Sequence, residues 1–307
     1  MPSLSRRQYR VNAITPGWNL SISLILVLVT CISVLPVLLV VIISFSPMES
    51  IGLRGYSYLP TSLTLSAYES VFKMGSQLRD SYLVSIFVAI TKTSLSLFVM
   101  SMYSFVLAQK RFGPRRVFIF ITFFTMLFSG GLVPSYIINT RYLSLYDNIW
   151  ALLIPGLVGG FNVIILRTFI QTTIPDSLFE AAKIDGANDF VIYARIVLPL
   201  FKAGLATIGL FSVVGIWNDW FSGMLYINSP KLMPLQTMLM KIMKNLEYIK
   251  NNSDLSSRAE FREILRRMPV ETTRMAIVVL SVAPILFAYP FFQQYFVKGL
   301  TIGSVKG

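Results

Sequence analysis

Long apolar runs set the pattern of this chain. They fall at about 20–45, 82–108, 117–138, 150–170, 201–227 and 275–297, with polar or basic stretches between them. Each is close to the roughly 20 residues that a helix needs to cross a hydrocarbon core. The pattern predicts an all-α integral membrane protein of six transmembrane helices. No internal repeat, Gly/Ser linker or low-complexity tract divides it, so residues 1–307 read as a single transmembrane domain. Residues 47–81 form an external loop of mixed sign, residues 171–200 an internal helix-rich loop, and residues 228–272 the largest external piece.

The sidedness comes from the basic flanks. Arg6, Arg7 and Arg10 precede the first run, and Lys110, Arg111, Arg115 and Arg116 sit between the second and third with no acid among them. Cytoplasmic loops carry such an excess, so both stretches face inward and an even number of spans puts both termini in the cytoplasm. The external loop 228–272 holds eight Lys or Arg residues and pulls the other way, but it is long and carries interspersed acids. The first helix usually dominates topology. Ser5-Arg6-Arg7 resembles a twin-arginine signal, yet the apolar run behind it is too long and lacks a small-residue cleavage site. A first span with its cationic flank inside is the simpler reading.

Composition agrees. The chain is 54% apolar and 13% charged, against about 25% charge in a soluble domain, and its mean hydropathy is +0.66. The net charge of +13 is scattered between the apolar runs, which fits contact with anionic membrane lipid and not with nucleic acid. There is no histidine, and the one cysteine, Cys31, lies inside the first run. The commonest general base and metal ligand are thus missing, and no Cys–His or metal constellation can be assembled. No Gly-x-x-x-x-Gly-Lys-Ser/Thr phosphate loop occurs. The chain is expected to carry no catalytic residue, cofactor or metal of its own, and any ATP and Mg must be bound by another subunit.

The most informative segment is the internal loop. Pro175 breaks the preceding span, and Ser177 with Glu180 three residues later forms a capping box that opens a helix. Ala181 and Ala182 are strong helix formers, and Gly186 can take the left-handed conformation that ends the helix. Asn188 or Asp189 can cap a second helix that runs to Pro199. A plain connector needs only a few residues, whereas about thirty are spent here. Such an internal helix–Gly–helix elbow is a docking surface or a catalytic site, docking being the commoner use.

Glu180-Ala181-Ala182, three residues, Gly186, nine residues, Ile196, one residue, Leu198-Pro199 resembles the EAA signature of ABC importer permeases without a gap. Ser129 to Tyr136, Pro290 to Gly299 and the ending Ile302 to Gly307 are similar to carbohydrate permeases of the LplC/YtcP type, relatives of the maltose-importer permease MalG. This likeness runs from the first span to the last residue and is weakest over 245–268. It implies the type I (MetI-like) importer architecture, with the elbow as the coupling helix in a groove of the ATPase. Glu180 and Asp185 would then meet cationic groups of that partner, or else stay solvated or capping. The implied partners are a second homologous permease, two ATPase subunits, an extracytoplasmic saccharide-binding protein and a saccharide, moved across the cytoplasmic membrane by alternating access.

Several polar residues fall inside the apolar runs. Lys92 lies in the middle of the second, where an unpaired charge costs on the order of 3 kcal/mol; it is either paired or on the substrate path, or it snorkels from a span that begins later. Asn162, Trp217, Asn218, Asp219 and Trp220 place amide, carboxylate and indole groups at bilayer depth. They suit a sugar, whose faces stack on aromatics and whose hydroxyls need partners, or equally helix–helix contacts and an aromatic belt. In the external loop, Leu235, Met238, Leu239, Ile242, Met243 and Leu246 keep helical spacing with Lys241 and Lys244 off the stripe. That helix is a lid on the bundle or a dock for the binding protein. Two rivals to the importer remain: an ion-coupled secondary transporter, which often shows inverted repeats and broken helices, and a membrane enzyme. Neither repeats nor breaks are evident, Pro284 and Pro290 in the sixth run being the candidate break points.

Overall fold

The computed structural model describes residues 16–73, 75–251 and 270–303, and all regular structure among them is helical. The chain divides into two compact units, one of residues 1–71 with 259–279, the other of 72–258 with 280–307.

In the first unit α1 (Pro16–Ser44) carries no charged residue, and its residues from Gly17 to Leu38 are exposed. A helix apolar all round and bare of protein contacts suits a lipid environment. Cys31 is on this exposed surface. Two short helices follow, α2 (Met48–Arg54) and α3 (Ser66–Phe72). The chain folds back at Phe45, whose carbonyl accepts from Thr64 N–H at 2.7 Å, while the Ser44 hydroxyl meets Tyr68 Oη at 2.8 Å.

The second unit is organised around α4 (Ser76–Ala108), a 33-residue helix. Its buried residues Ser81, Ser85, Ala89, Ser96, Ser101, Ser104 and Ala108 are small and recur about every four positions. Small residues let helix backbones approach in a membrane, and their hydroxyls bind across the contact. Ser96 donates to the Leu157 carbonyl at 2.5 Å and Ser104 to that of Val163 at 3.0 Å; Ser85 accepts from Leu235 N–H at 2.7 Å. Each such bond is worth roughly 0.6 kcal/mol, so the stripe fixes register more than it adds stability.

The unit further holds α5 (Arg115–Leu127), α6 (Leu132–Ile137), α7 (Trp150–Leu153), α8 (Gly160–Thr173), the elbow helices, α12 (Lys202–Trp217), α13 (Phe221–Tyr226), α14 (Leu235–Asn251) and the part of α15 (Val270–Gly303) from residue 280 on. Three of the six apolar runs are broken. The third divides at Ser129-Gly130-Gly131, where Gly131 takes φ +86°, and α5 meets the segment Leu132–Tyr142 at 112°. The fourth is a helix only from Gly160, because Pro155-Gly156, with Gly156 at φ +69°, ends the short α7. The fifth divides between Trp217 and Phe221.

The sixth run corrects the sequence reading. Pro284 and Pro290 lie inside α15, which continues past both to Gly303. An interior proline removes one donor and pushes its ring at the carbonyl four residues back. For Pro284 that carbonyl is Leu280, and the Tyr82 hydroxyl fills it at 2.8 Å. The next carbonyl, Ser281, accepts the Trp217 indole N–H at 2.8 Å. A neighbouring side chain thus satisfies the oxygen that Pro284 leaves without a backbone donor, which is how a proline survives inside a bundle.

α14 lies as the amphipathic spacing predicts, with Leu235, Met238 and Leu239 buried. Its contacts to Ser81 and Ser85 of α4, and from Thr237 to the Trp220 carbonyl at 3.0 Å, make it a cover on this end of the bundle. The same end is pinned by Asp147, held at φ +54°. Its carboxylate accepts Asn228 N–H at 2.9 Å, Ser229 N–H at 2.8 Å and the Ser229 hydroxyl at 2.5 Å. The Ser229 hydroxyl first, then the two backbone donors, holds the Asp147 carboxyl below its ordinary value. A depressed folded value means the stabilisation is full above the unfolded carboxylate value of about 3.9 and is lost as pH falls through the folded one. Asp147→Asn is expected to unfold more readily than wild type at pH 7, with the difference closing under strong acid. Melting curves at several pH values check this; a gap independent of pH refutes it.

Candidate functional site

The elbow opens with α9 (Asp176–Ile184), and its start differs from the sequence reading. Its N-cap is Pro175, at φ −62° and ψ 142°, without a side-chain cap bond. Proline sets the extended entry, so the helix starts one residue too early for Ser177 to be the cap, and the Ser177–Glu180 box does not form. Asp176 supplies the first-turn negative charge instead.

The end of α9 follows the sequence. Gly186 takes φ +78°; Gly186 N–H reaches the Lys183 carbonyl at 3.0 Å and Ala187 N–H the Ala182 carbonyl at 2.9 Å. These two bonds are the paired Schellman closure, which needs a left-handed residue where glycine stands. Asn188 then caps α10 (Asp189–Ile192), its Oδ1 accepting Val191 N–H at 2.9 Å. The second helix outlasts Pro199. A wide π turn over Tyr193–Val197 carries Leu198 N–H back to the Tyr193 carbonyl, and α11 (Leu198–Leu200) follows. Widening the turn before Pro199 makes room for its ring and needs no donor from it. The chain then bends 77° into α12.

One face of the elbow is spent on the bundle. Ala182, Ile192, Tyr193, Val197 and Phe201 are buried with Phe105, Leu107 and Ala108 of α4 and Leu166 and Ile170 of α8, and Ile196 and Leu198 pack on that cluster. Tyr193 Oη meets the Ser101 hydroxyl at 2.6 Å, and its ring lies 5.6 Å from that of Phe105. Ala182, 8% exposed, therefore seats the helix and is not on its free face. Pro199 is exposed beyond the turn. The outward face presents Glu180, Ala181, Asp185 and Gly186, together with Leu178, Ile184 and Phe190, the last two 86% and 64% exposed. Sequence reasoning missed these three apolar residues. The signal available was that Ile184 and Phe190 flank the Gly186 turn in an otherwise polar stretch.

Ion pairs tie the elbow to the basic loop between α4 and α5. Lys110 pairs with Asp176 and Arg111 with Asp189, while Lys183 lies 3.3 Å from Asp189. Pairs this exposed contribute less than about 1 kcal/mol each. They place the Lys110–Arg116 loop and the elbow at one end of the unit.

A second feature lies in the middle of the bundle. The three interrupted runs bring their breaks to one cavity of about 520 Å³, whose polar lining is Lys92, Ser135, Asn139, Asp219, Ser222 and Tyr226. Lys92, Gly156 and Asp219 also line an adjoining cavity of about 250 Å³ with Ser96, Asn162 and Ser212. Irregular backbone at membrane depth is tolerated where it lines a cavity, so the breaks and the cavity explain one another. The aromatic wall includes Phe221 and Tyr226; Tyr226 stacks on Tyr136 at 5.9 Å and accepts from Asn139 Nδ2 at 3.1 Å.

The intramembrane candidates divide. Lys92, Asn162 and Asp219 line the cavities. Helix α4 begins at Ser76 and ends at Ala108, so Lys92 is at its midpoint, about 24 Å of helix from either end. The helix begins before residue 82, earlier than the snorkelling alternative placed the start of the span. Trp217 is 6% exposed and spends its indole on Ser281. Asn218 Nδ2 turns back to the Val214 carbonyl at 2.9 Å. Trp220 faces α14, with Lys244 Nζ 5.3 Å from its ring centre. Asp219 also accepts Ser222 N–H at 3.0 Å, from the first turn of α13. The sequence reading missed Ser135, Asn139, Ser222 and Tyr226; Ser135 and Asn139 stand one turn apart just past the Gly130-Gly131 break.

Known proteins resemble this chain in sequence and fold. Residues 81–302 match the family model described as binding-protein-dependent transport system inner membrane component. The polygalacturonan/rhamnogalacturonan transport system permease protein YtcP of Bacillus subtilis is 37% identical over 283 residues, 92% of this chain and 96% of that protein. Protein LplC of the same organism is 38% identical over 279 residues, 91% of each. A crystal structure of a bacterial ABC transporter involved in the import of the acidic polysaccharide alginate has a chain that superimposes with TM-score 0.77 at 30% identity, covering 96% of this chain and all of that one. The chain thus belongs to the binding-protein-dependent transport system inner membrane components: it is a membrane-embedded permease subunit of an ABC importer, works with other transporter subunits, and is not an enzyme.

Proposed function

We propose that this permease moves a saccharide through the Lys92–Asp219 cavity by alternating access, and that the elbow from Asp176 to Leu200 is its coupling helix. The observation that carries the coupling role is the outward face of the elbow: Ala181, Ile184 and Phe190 stand free around a left-handed Gly186, while the opposite face is locked into the bundle. ATP-driven closure of the ATPase would press on that face, and the π turn and Phe201 bend would pass the motion into α12. ATP and Mg sit on the ATPase subunits. The polar cavity with an aromatic wall, and relatives whose names specify polygalacturonan, arabinooligosaccharides and alginate, support a saccharide. A similar second permease completes the path, two ATPases lie beneath, and an external binding protein delivers the sugar.

The same reading keeps one transmembrane domain of six spans with both termini cytoplasmic. α1 and α4 are long and apolar enough to cross alone, α5 with Leu132–Tyr142 forms a bent third span, α7 with α8 an interrupted fourth, α12 with α13 an interrupted fifth, and α15 at 34 residues is about 51 Å long. The pairing of Lys110 and Arg111 with elbow acids supports a common cytoplasmic side for both loops.

Cysteine cross-linking tests the docking face. In the full complex with Cys31 replaced by serine, a cysteine at Ala181 should form a disulfide with one in the ATPase groove, since the partner backbone must come within about 4.4–6.8 Å between Cα atoms. A cysteine at Ala182 should not. Cross-linking at Ala182 alone would reverse the assigned face. Sugar uptake by the purified chain along an ion gradient, with no ATPase present, would remove the importer mechanism itself.

A further inference from the structure

Lys92 is the feature that the transport reading leaves unexplained. A neutral sugar needs hydrogen-bonding groups and a stacking surface, and Ser135, Asn139, Ser222 and Tyr226 supply both without a cation. A lysine at the midpoint of a spanning helix carries an insertion cost, so it marks a functional position by default. Lys92 takes part in none of the ion pairs among the described residues, and neither does Asp219. The two charges instead border the same open space: both line the larger cavity and both line the smaller one. Asp219 is engaged by the Ser222 N–H at 3.0 Å, and Lys92 borders both cavities.

From this juxtaposition we infer that Lys92 sets the charge class of the substrate, its ammonium binding the carboxylate of a uronate residue in an acidic oligosaccharide. The inference rests on the saccharide reading above. A charge-assisted hydrogen bond is about twice as strong as a neutral one, and in a cavity shielded by helices it favours a carboxylate over its ester. Asp219 orients the sugar by accepting its hydroxyls and by repelling a second carboxylate, so the acid group enters on the Lys92 side. Asn162, which shares the smaller cavity with Lys92, is placed to donate its amide N–H to the second carboxylate oxygen.

The test uses the full complex in proteoliposomes with ATP inside. Trigalacturonate and its fully methyl-esterified form differ in charge but hardly in shape, and maltotriose serves as a neutral sugar without acid groups. Wild type should take up the free acid at least about tenfold better than the ester. Lys92→Gln should erase that preference and Lys92→Arg should retain it, with complex yield and basal ATPase activity measured for each. A wild-type complex that handles acid and ester alike, or that moves only maltotriose, overturns the inference even if Lys92→Gln does not assemble. So does a Lys92→Gln complex that keeps the preference. Uptake of none of the three, nor of oligoalginate, counts against the saccharide reading instead.

Discussion

Gly186→Val is expected to leave the permease in the membrane and to cut ATP-driven uptake by at least about tenfold. A side chain at this position would meet nothing within 4 Å, so there is no steric clash to relieve. The cost is in the backbone: φ is +78°, a region that costs a non-glycine residue roughly 1–2 kcal/mol and a β-branched one more. The cheaper outcome is to open the turn. That breaks the closures from Gly186 to Lys183 and from Ala187 to Ala182, and swings α9 away from α10. Ile184 and Phe190, which flank the turn, would no longer share one face. Uptake and transport-stimulated hydrolysis should therefore fall together while the amount of protein extracted from membranes stays near wild type. Gly186→Asn should recover most of the activity, because asparagine visits the left-handed region more readily. Full transport by the valine variant would show that the elbow does not depend on this turn.

Gly223→Ala should act on folding instead of coupling. A Cβ there would lie 2.1 Å from Thr237 Oγ1, 3.0 Å from Thr237 Cβ and 3.0 Å from Pro234 Cδ. The hydroxyl can rotate only by giving up its bond to the Trp220 carbonyl, and the proline ring has nowhere to turn. The start of α14 must therefore lift off α13. Overpacking of this kind costs typically 1–3 kcal/mol, occasionally more, and α14 also carries the bond from Leu235 N–H to Ser85. The expected result is a lower melting temperature in detergent and reduced complex yield, with Gly223→Val worse than alanine. Thr237→Ser in the alanine background should return part of the loss, since it removes the methyl and frees the hydroxyl to move. An alanine variant as stable as wild type would mean that this end of α14 is loosely held.

These two glycines differ in how far the sequence discloses them. Gly186 ends a polar helix three residues after Ala182-Lys183 and just before Asn188, so its role is written in neighbouring residues. Gly223 looks like any glycine in an apolar run. What makes it indispensable is Thr237, fourteen residues on, and no local pattern announces that contact. The same division runs through the candidate site. Lys92 and Asp219 stand out as charges in apolar runs, yet nothing in their spacing says that they border one cavity. Trp217 and Trp220 stand out equally, and one braces α15 while the other faces α14.

Local chemistry alone determined where the chain is apolar enough to enter a bilayer, where the elbow turns and that a cap at Asn188 or Asp189 opens its second helix. Those outcomes depend on side-chain transfer energies and on backbone preferences within a few residues. The tertiary structure decided which face of α9 is free, where the third, fourth and fifth runs break, and that Pro284 leaves α15 continuous. These depend on partners distant in sequence: Tyr82 reaches Leu280 across 198 positions, and Trp217 reaches Ser281 across 64. A buried carbonyl must find a donor somewhere, and only the folded chain settles which side chain supplies it.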